Sequence, residues 1–373
     1  MAAIADHMKI ADIAAILEEL APPSLQESYD NSGLLVGNPT AEVSKALISL
    51  DVTEEVIDEA IHEKANLVIA HHPIVFKGLK RLNGANYVER TVIKAIQNNI
   101  AIYAIHTNLD NVLAGGVNGK IADRLQLINR TILQPKSSNL FKLVTFVPVA
   151  ATEVVLNALF DAGAGKIGAY DRCSFRNEGM GTFRGDDTTQ PHVGVPGENH
   201  AEPEHRIEVI LPNWKKRSVL SALMQAHPYE EVAYDVYPLE NHHPGVGSGL
   251  VGELDKLMSK DDFLHHVKTQ MKASVIRFTE SSENYIKRVA VCGGSGSFLI
   301  GAAKAAGADA YITGDVKYHE FFDAENQLMI CDIGHYESEQ FTIELLGEFL
   351  SEKIPTFAVI FTKTDTNPIK YFH

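Results

Sequence analysis

LVIAHHP, residues 67–73, sets four consecutive apolar residues directly before two histidines and a proline. Leu67 to Ala70 reads as a buried strand, and Pro73 ends its ladder. In open α/β sheets ligands bind beyond the carboxyl ends of the strands, which is where His71 and His72 stand. Neighbouring strand residues face opposite ways, but at a strand-to-loop turn both imidazoles can serve one cleft. Two neutral imidazoles there suit a divalent transition metal, or one metal each. The same dipeptide occurs at His242–His243, in a Pro/Gly-rich linker, and at His265–His266, in a polar helical stretch. Neither follows a buried strand, so both read as solvated.

Partners for the pair are expected at two other strand ends. The apolar run Ile100 to Ile105 delivers His106 and Asp110. Leu328 to Cys331 is a short buried strand, followed by DIGHYESE (332–339). After Gly334 the sequence turns helical, which puts His335 and Glu339, at i and i+4, on one face. His71, His72, Asp110, His335 and Glu339 are three imidazoles and two carboxylates at strand-end loops. One tetrahedral zinc with an open position needs only three protein ligands. Two metals bridged by a carboxylate fit the count better, as in two-metal hydrolases. Any one of these residues taken alone reads better as a cap or a hydrogen-bond partner; the set together reads as a metal site.

Working outward, residues 1–130 alternate helix and strand. A helix is expected over the first twenty residues, YDNSGLLVG (29–37) reads as turn-rich, and strand ALISLDV (46–52) follows. Helices over 53–64 and 86–98 lead to the two histidine-bearing strands, the βαβ rhythm of a mostly parallel sheet. Residues 139–240 change character. Strand 141–148, helix 151–163, two strands flanking a Gly-rich loop (179–198), helix 213–227 and strand 231–239 give β-α-β-β-α-β, the ferredoxin-like order. It reads as an α+β domain inserted into an α/β host domain, because expected ligands lie on both sides of it. His192, His200, His205 and His227 lie in this stretch without carboxylates at ligand spacing and read as structural. From 247 to 373 the α/β rhythm resumes, with strands at 288–292, 309–313 and 328–332. CGGSGSF (292–298) reads as strand, glycine loop and helix start, an anion cradle or simply a tight turn. It lacks both the Walker and the dinucleotide spacing. In GDVKYHE (314–320), Asp315 reads as a helix cap and His319 as a residue that could face the cleft.

Composition sets the outer bounds. The 373 residues are 45% hydrophobic and 22% charged, with a net charge of −15. That surplus argues against a non-specific nucleic-acid binder, whose affinity comes from neutralising phosphates. Cys173, Cys292 and Cys331 form no CxxC, so neither a disulfide framework nor a zinc-thiolate site is indicated. No signal peptide or membrane span reads out of the sequence, and a cytoplasmic protein is expected.

Taken together, YDNSGLLVG (29–37), HHPIVF (71–76), IHTNLDNVLAGGVN (105–118), CGGSG (292–296), GDVKYHEFFDA (314–324) and DIGHYESE (332–339) resemble the NGG-interacting-factor-three-like family. This family of dinuclear metal proteins is also known as GTP cyclohydrolase I type 2 homologues. The resemblance implies two similar α/β halves with two divalent metals (Zn, Mn, Fe or Co) between them. His71 and His72 would ligate separate metals, joined by Asp110 and His335, with Glu339 bridging. It also implies a toroidal homohexamer, a trimer of dimers, and an insert similar to nitrogen-regulatory and copper-tolerance signalling proteins. The expected activity is hydrolysis of a nucleotide-like substrate, in the family's terms attack on C8 of the guanine of GTP with formate release. His106 would transfer a proton or orient its loop, and CGGSG would hold phosphates. The alternative is a non-catalytic metal-binding regulatory or scaffold protein, or a metallochaperone. His and carboxylate ligands speak against a chaperone for soft metals.

Overall fold

The structure is a computed structural model and describes residues 8–372. The chain forms two compact units, residues 1–134 with 245–373 and residues 135–244. Helix α1 (Ile10–Leu20) opens the first unit. Residues 1–7 of the stretch expected to be helical lie outside the described residues. The chain continues with β1 (Gly33–Val36), β2 (Lys45–Ser49), α2 (Glu54–Glu63), β3 (Leu67–Ala70) and α3 (Tyr87–Gln97). Then come β4 (Ala101–Ala104), the one-turn α4 (Thr107–Asp110), α5 (Val117–Arg124) and β5 (Ile128–Pro135).

Strand β3 has all four residues buried. It runs parallel between β2 and β4, and its side chains alternate between two cores. Leu67 and Ile69 join Ile13 and Leu17 of α1, whereas Val68 and Ala70 join Ile57, Ala60 and Val92 of α2 and α3. A strand covered on both faces reads as an unbroken apolar run, which is why LVIA has no polar alternation. Each Leu or Ile so buried contributes about 1.5–3 kcal/mol. The flanking helices are set locally: Thr53 and Asn86 accept from the Val56 and Glu89 amides, capping α2 and α3. The segment expected to be turn-rich instead contributes β1, antiparallel to β4 at the sheet edge.

The second unit contains β6 (Leu140–Pro148), α6 (Thr152–Asp161), β7 (Ser174–Phe183), β8 (His200–Pro212), α7 (Lys216–Ala226) and β9 (Tyr234–Pro238). Its antiparallel sheet has the order β7-β8-β6-β9. Leu143, Val147, Leu159, Ile207, Val209 and Leu223 form its core. The Gly-rich loop is shorter than expected, since β7 pairs with β8 without a break from Ser174 opposite Val209 to Phe183 opposite His200. Gly181 leaves room within that ladder for the Glu204 carboxylate, whose Oε2 would lie 2.1 Å from a Cβ there.

The chain returns to the first unit with β10 (Gly247–Ser259), α8 (Lys260–Gln270), β11 (Arg277–Phe278), β12 (Tyr285–Ser295), α9 (Ile300–Ala305) and β13 (Ala310–Gly314). It closes with β14 (Met329–Asp332), α10 (His335–Glu339), α11 (Thr342–Lys353) and β15 (Ala358–Phe361). Two sheets result, β1-β4-β3-β2-β15 and β11-β14-β13-β12-β10-β5. Each recruits one strand, β15 or β5, from the other side of the second unit in sequence. One core joins them, with Ile48 and Ile69 from the first sheet and Val289, Ile312 and Met329 from the second. Among the described residues no helix is long and apolar enough to cross a membrane.

Candidate metal centre

His71 and His72 leave the carboxyl end of β3, and just beyond β4 His106 precedes α4 and Asp110 ends it. His335 and Glu339 are the first and last residues of α10, which follows β14 of the other sheet. The two sheets bring these residues together. Three sets have ligand atoms within 4.8 Å of one another and could hold a metal ion: His71, Asp110 and Glu339; His72, His335 and Glu339; and His71, His72 and His106. Glu339 belongs to two of them, and its oxygens divide. Oε1 lies 3.7 Å from His71 Nε2, whereas Oε2 lies 2.9 Å from His72 Nε2 and 3.1 Å from His335 Nε2.

All four imidazoles are held by the nitrogen pointing away from the centre. His71 Nδ1 donates to the Ile105 carbonyl at 2.8 Å. Nδ1 of His72, His106 and His335 donates to Asp51, Asp30 and Asp315 respectively, each at 2.7 Å. That pattern fixes the tautomer and turns every Nε2 toward one space, as in metal-ligating histidines. Asp30 is itself fixed, since the Thr107 amide and hydroxyl donate to Oδ2 at 3.0 and 2.5 Å. Asp315 adopts φ 56°, a left-handed conformation uncommon for a residue with a Cβ.

The electrostatics call for positive charge. Burial disfavours the charged form of His72, but hydrogen bonds to Asp51 and Glu339 outweigh it and raise its pKa to about 10. His335 is likewise opposed by burial and raised to about 11 through Asp315 and Glu339. Burial, then the neighbouring Glu339 charge, pushes Asp110 up to about 7. Burial alone would raise Glu339, yet hydrogen bonds from His335 and His72 and the nearby His71 imidazole hold it well below the usual carboxylate range. Among the described residues four buried side-chain polar atoms lack a hydrogen-bond partner. Two of them, His71 Nε2 and Asp110 Oδ1, face each other 3.6 Å apart. Leaving such atoms unpaired is costly, and a cation between them would satisfy both. Borderline nitrogen and hard oxygen donors in this mixture fit a divalent transition metal.

The glycine loop plays another part than an anion cradle. Its amides are committed within the chain: Gly293 donates to Asn118 Oδ1, Gly294 to Ser338 Oγ and Gly296 to Thr313 Oγ1. Strand β12 runs on through it to Ser295, with an irregular register opposite β13. Gly294 has φ +64°, and a Cβ there would come 2.4 Å from Glu339 Oε1. The glycines therefore let the strand back closely against the Glu339 carboxylate.

Other expectations are corrected in the same way. Asp315 orients His335 rather than simply capping a helix. His319 is exposed, packs on Tyr318 and Phe322 and belongs to none of the groups of described residues that could hold a metal. His243 packs on Trp214, and His266 donates to the Leu125 carbonyl, so neither is simply solvated. In the second unit His200 and His205 do have carboxylate neighbours, Glu202 at 3.1 Å and Glu178 at 3.8 Å. Sequence reasoning missed Asp51 and the aromatic pair Tyr29 and Phe76. Those rings lie 6.3 Å apart, and Phe76 meets His106 edge-on at 5.9 Å. The Asn31 amide holds the two segments together through the Val75 carbonyl. Asp51 carried a usable signal, a carboxylate just past the end of a buried strand parallel to β3.

A family model described as Duf34/NIF3 (NGG1p interacting factor 3) matches residues 8–368. A Halalkalibacterium halodurans protein named GTP cyclohydrolase 1 type 2 homolog is 39% identical over 372 residues, covering 98% of this chain and 100% of that one. A Bacillus subtilis protein of the same name is 37% identical, covering 96% and 97%. Among solved structures, a Bacillus cereus protein related to NIF3 superposes with a TM-score of 0.86 at 39% identity, covering 98% and 100%. A Staphylococcus aureus protein superposes with a TM-score of 0.77 at 32% identity, covering 98% and 99%. With matches of this extent on both sequence and structure, the chain belongs to the Duf34/NIF3 (NGG1p interacting factor 3) family.

Proposed function

We propose that this protein is a hydrolase dependent on two divalent cations and acting on a nucleotide-like substrate. The observation that carries the proposal is the division of Glu339, one oxygen facing His71 and the other facing His72 and His335. His71 with Asp110 would hold one cation, His72 with His335 the other, and Glu339 would bridge. When bound, such a pair supplies Lewis acidity and a water-derived nucleophile near neutral pH.

The chain's own residues do the rest. Asp51, Asp315 and the Ile105 carbonyl keep three imidazoles aimed at the centre. His106 gives its Nδ1 proton to Asp30, which leaves Nε2 as the basic nitrogen for accepting or returning a proton. Tyr29 and Phe76, both exposed beside His106, offer a flat ring an aromatic wall. The exposed loop after Phe76 carries Lys77, Lys80 and Arg81 within five positions of an otherwise acidic chain, counter-charge for phosphates. The names of the relatives, GTP cyclohydrolase 1 type 2 homolog, make GTP the first substrate to try. The same reading takes the second unit as a ferredoxin-like insertion into a host of two similar halves, and the assembly as a ring of six in the cytoplasm.

The test is mass-spectrometric analysis of products after metal-loaded protein meets GTP and a nucleotide panel, with Glu339→Gln as control. Formate and a ring-opened product, absent with the variant, are expected. Intact nucleotides beside two bound metals per chain would overturn the enzyme reading in favour of a regulatory metal protein.

A further inference from the structure

The second unit holds a cavity of about 800 Å³, within the range of small-molecule sites. It lies over one face of β7 and β8, bounded by the connection between them and by the segment after α7. That connection is pinned in place, because the Gln190 amide donates to Glu230 Oε1 at 2.9 Å and Gly197 donates to the Gly185 carbonyl.

One wall bears Glu204, 7% exposed. The Tyr229 hydroxyl donates to its Oε1 at 2.9 Å, and Oε2 fills the space left bare by Gly181. Glu204 has no ion-pair partner among the described residues. Its neighbour His227 cannot neutralise it. The His227 Nε2 proton goes to the Phe146 carbonyl, while Nδ1 accepts from the Tyr229 amide. Both ring nitrogens are thus satisfied in the neutral form, and burial keeps the pKa of His227 below its usual value. Arg206, the nearest guanidinium along β8, is paired with Glu208 at 3.0 Å. The cavity lining carries Asp186, Glu204, Glu230 and Glu231 against Arg184 and Arg206.

Aromatic rings stand around this carboxylate. Tyr229 lies 6.0 Å from Phe183, 6.2 Å from His192 and 5.0 Å from His227 between ring centroids. Phe146 also lines the space. A buried carboxylate without a counter-charge, set among aromatic faces, is the chemistry that recognises an organic cation. A metal ion fits less well, since among the described residues every potential metal-holding group lies at the centre in the first unit.

We propose that this cavity binds a small organic cation, an amine or amidine attached to an apolar or aromatic body, with Glu204 as its counter-ion. The site is separate from the metal centre and does not depend on what that centre does.

The experiment uses the full chain, freed of metal by chelation so that amine coordination at the centre does not contribute. Binding of benzylamine, benzyl alcohol and benzoate is followed by calorimetry, with zinc as a further probe. Benzylamine is expected to bind at least about tenfold more tightly than its neutral isostere, the difference a charge-assisted contact supplies. Glu204→Gln, which retains the Tyr229 hydrogen bond, is expected to erase that preference. Phe183→Ala keeps the carboxylate and is expected to weaken benzylamine several-fold, so the proposal stays testable if the Glu204 variant misfolds. Equal affinity for the three aromatic probes, no binding at millimolar concentration, preference for benzoate, or zinc binding that Glu204→Gln removes would each overturn it.

Discussion

Asp51 belongs to none of the groups of described residues that could hold a metal, yet it governs how His72 can be used. Its Oδ1 takes the His72 Nδ1 proton, and its Oδ2 accepts from the Thr366 hydroxyl at 2.8 Å. Removing it frees the imidazole to rotate and to present the wrong nitrogen. Asp51→Ala is therefore expected to weaken metal affinity about 10- to 100-fold while leaving the fold intact, the usual cost of losing such a partner. Competition with a coloured chelator measures this, and unchanged affinity would remove Asp51 from the design. The grouping of the candidate ligands was legible in the sequence because each sits at a strand end or on a helical i, i+4 face. Asp51 and Asp315 were less so, standing 21 and 20 residues from the histidines they orient. No local pattern links residues at that spacing; only the pairing of β2 with β3 and of β13 with β14 does.

At the scale of elements, strands buried on both faces were the easiest to read and edge or irregular ones the hardest. LVIA carries its own signature, whereas β1 hides in YDNSGLLVG because this edge strand of four residues fully buries only Val36. CGGSG misled because glycine permits both a phosphate loop and a strand that presses on a neighbour. What decides is where its amides go, and they go to Asn118, Ser338 and Thr313. The junction of α2 with the segment after β15 was likewise invisible in the sequence. Glu59 of α2 receives the Thr362 and Thr364 hydroxyls at 2.5 and 2.8 Å and the Lys363 amide at 2.8 Å. Burial opposes its charge, but these donors outweigh it and lower its pKa. A carboxylate with a depressed folded pKa contributes stability above its unfolded pKa, and that stability is lost as pH falls through the folded value. Glu59→Gln is accordingly expected to lower thermal stability at pH 7, by about 1 kcal/mol given the partial exposure of the site. The gap between variant and parent should close below about pH 4, the ordinary range of Glu. Parallel melting curves across that range provide the check, and a gap independent of pH would assign the loss to packing instead.

For the whole molecule, the candidate centre draws residues of two sheets to one point. His71 and His72 come from the end of β3, and His335 and Glu339 from the helix after β14. Five carboxylates, Asp30, Asp51, Asp110, Asp315 and Glu339, gather around four imidazoles there. Without cations their charge must be offset by protons on His72 and His335, the raised pKa values described above. Divalent ions would replace those protons, pair the orphaned His71 Nε2 and Asp110 Oδ1, and tie both sheets to one point. Any ligand that binds only the folded chain stabilises it, by about 2.7 kcal/mol at a hundredfold excess over its dissociation constant. For a chain of this size that corresponds to roughly 3 °C in the melting temperature. Chelation is therefore expected to lower the melting temperature by about that amount, and zinc or manganese to restore it. Asp51→Ala should show a smaller response at the same metal concentration. A melting temperature indifferent to chelation and reloading would mean that the sheets are held by their shared core alone, with Ile48, Ile69, Val289, Ile312 and Met329 packed across it. The centre would then be a site built upon a finished fold. A response confined to protein with its ligands intact would make the cations part of what completes that fold.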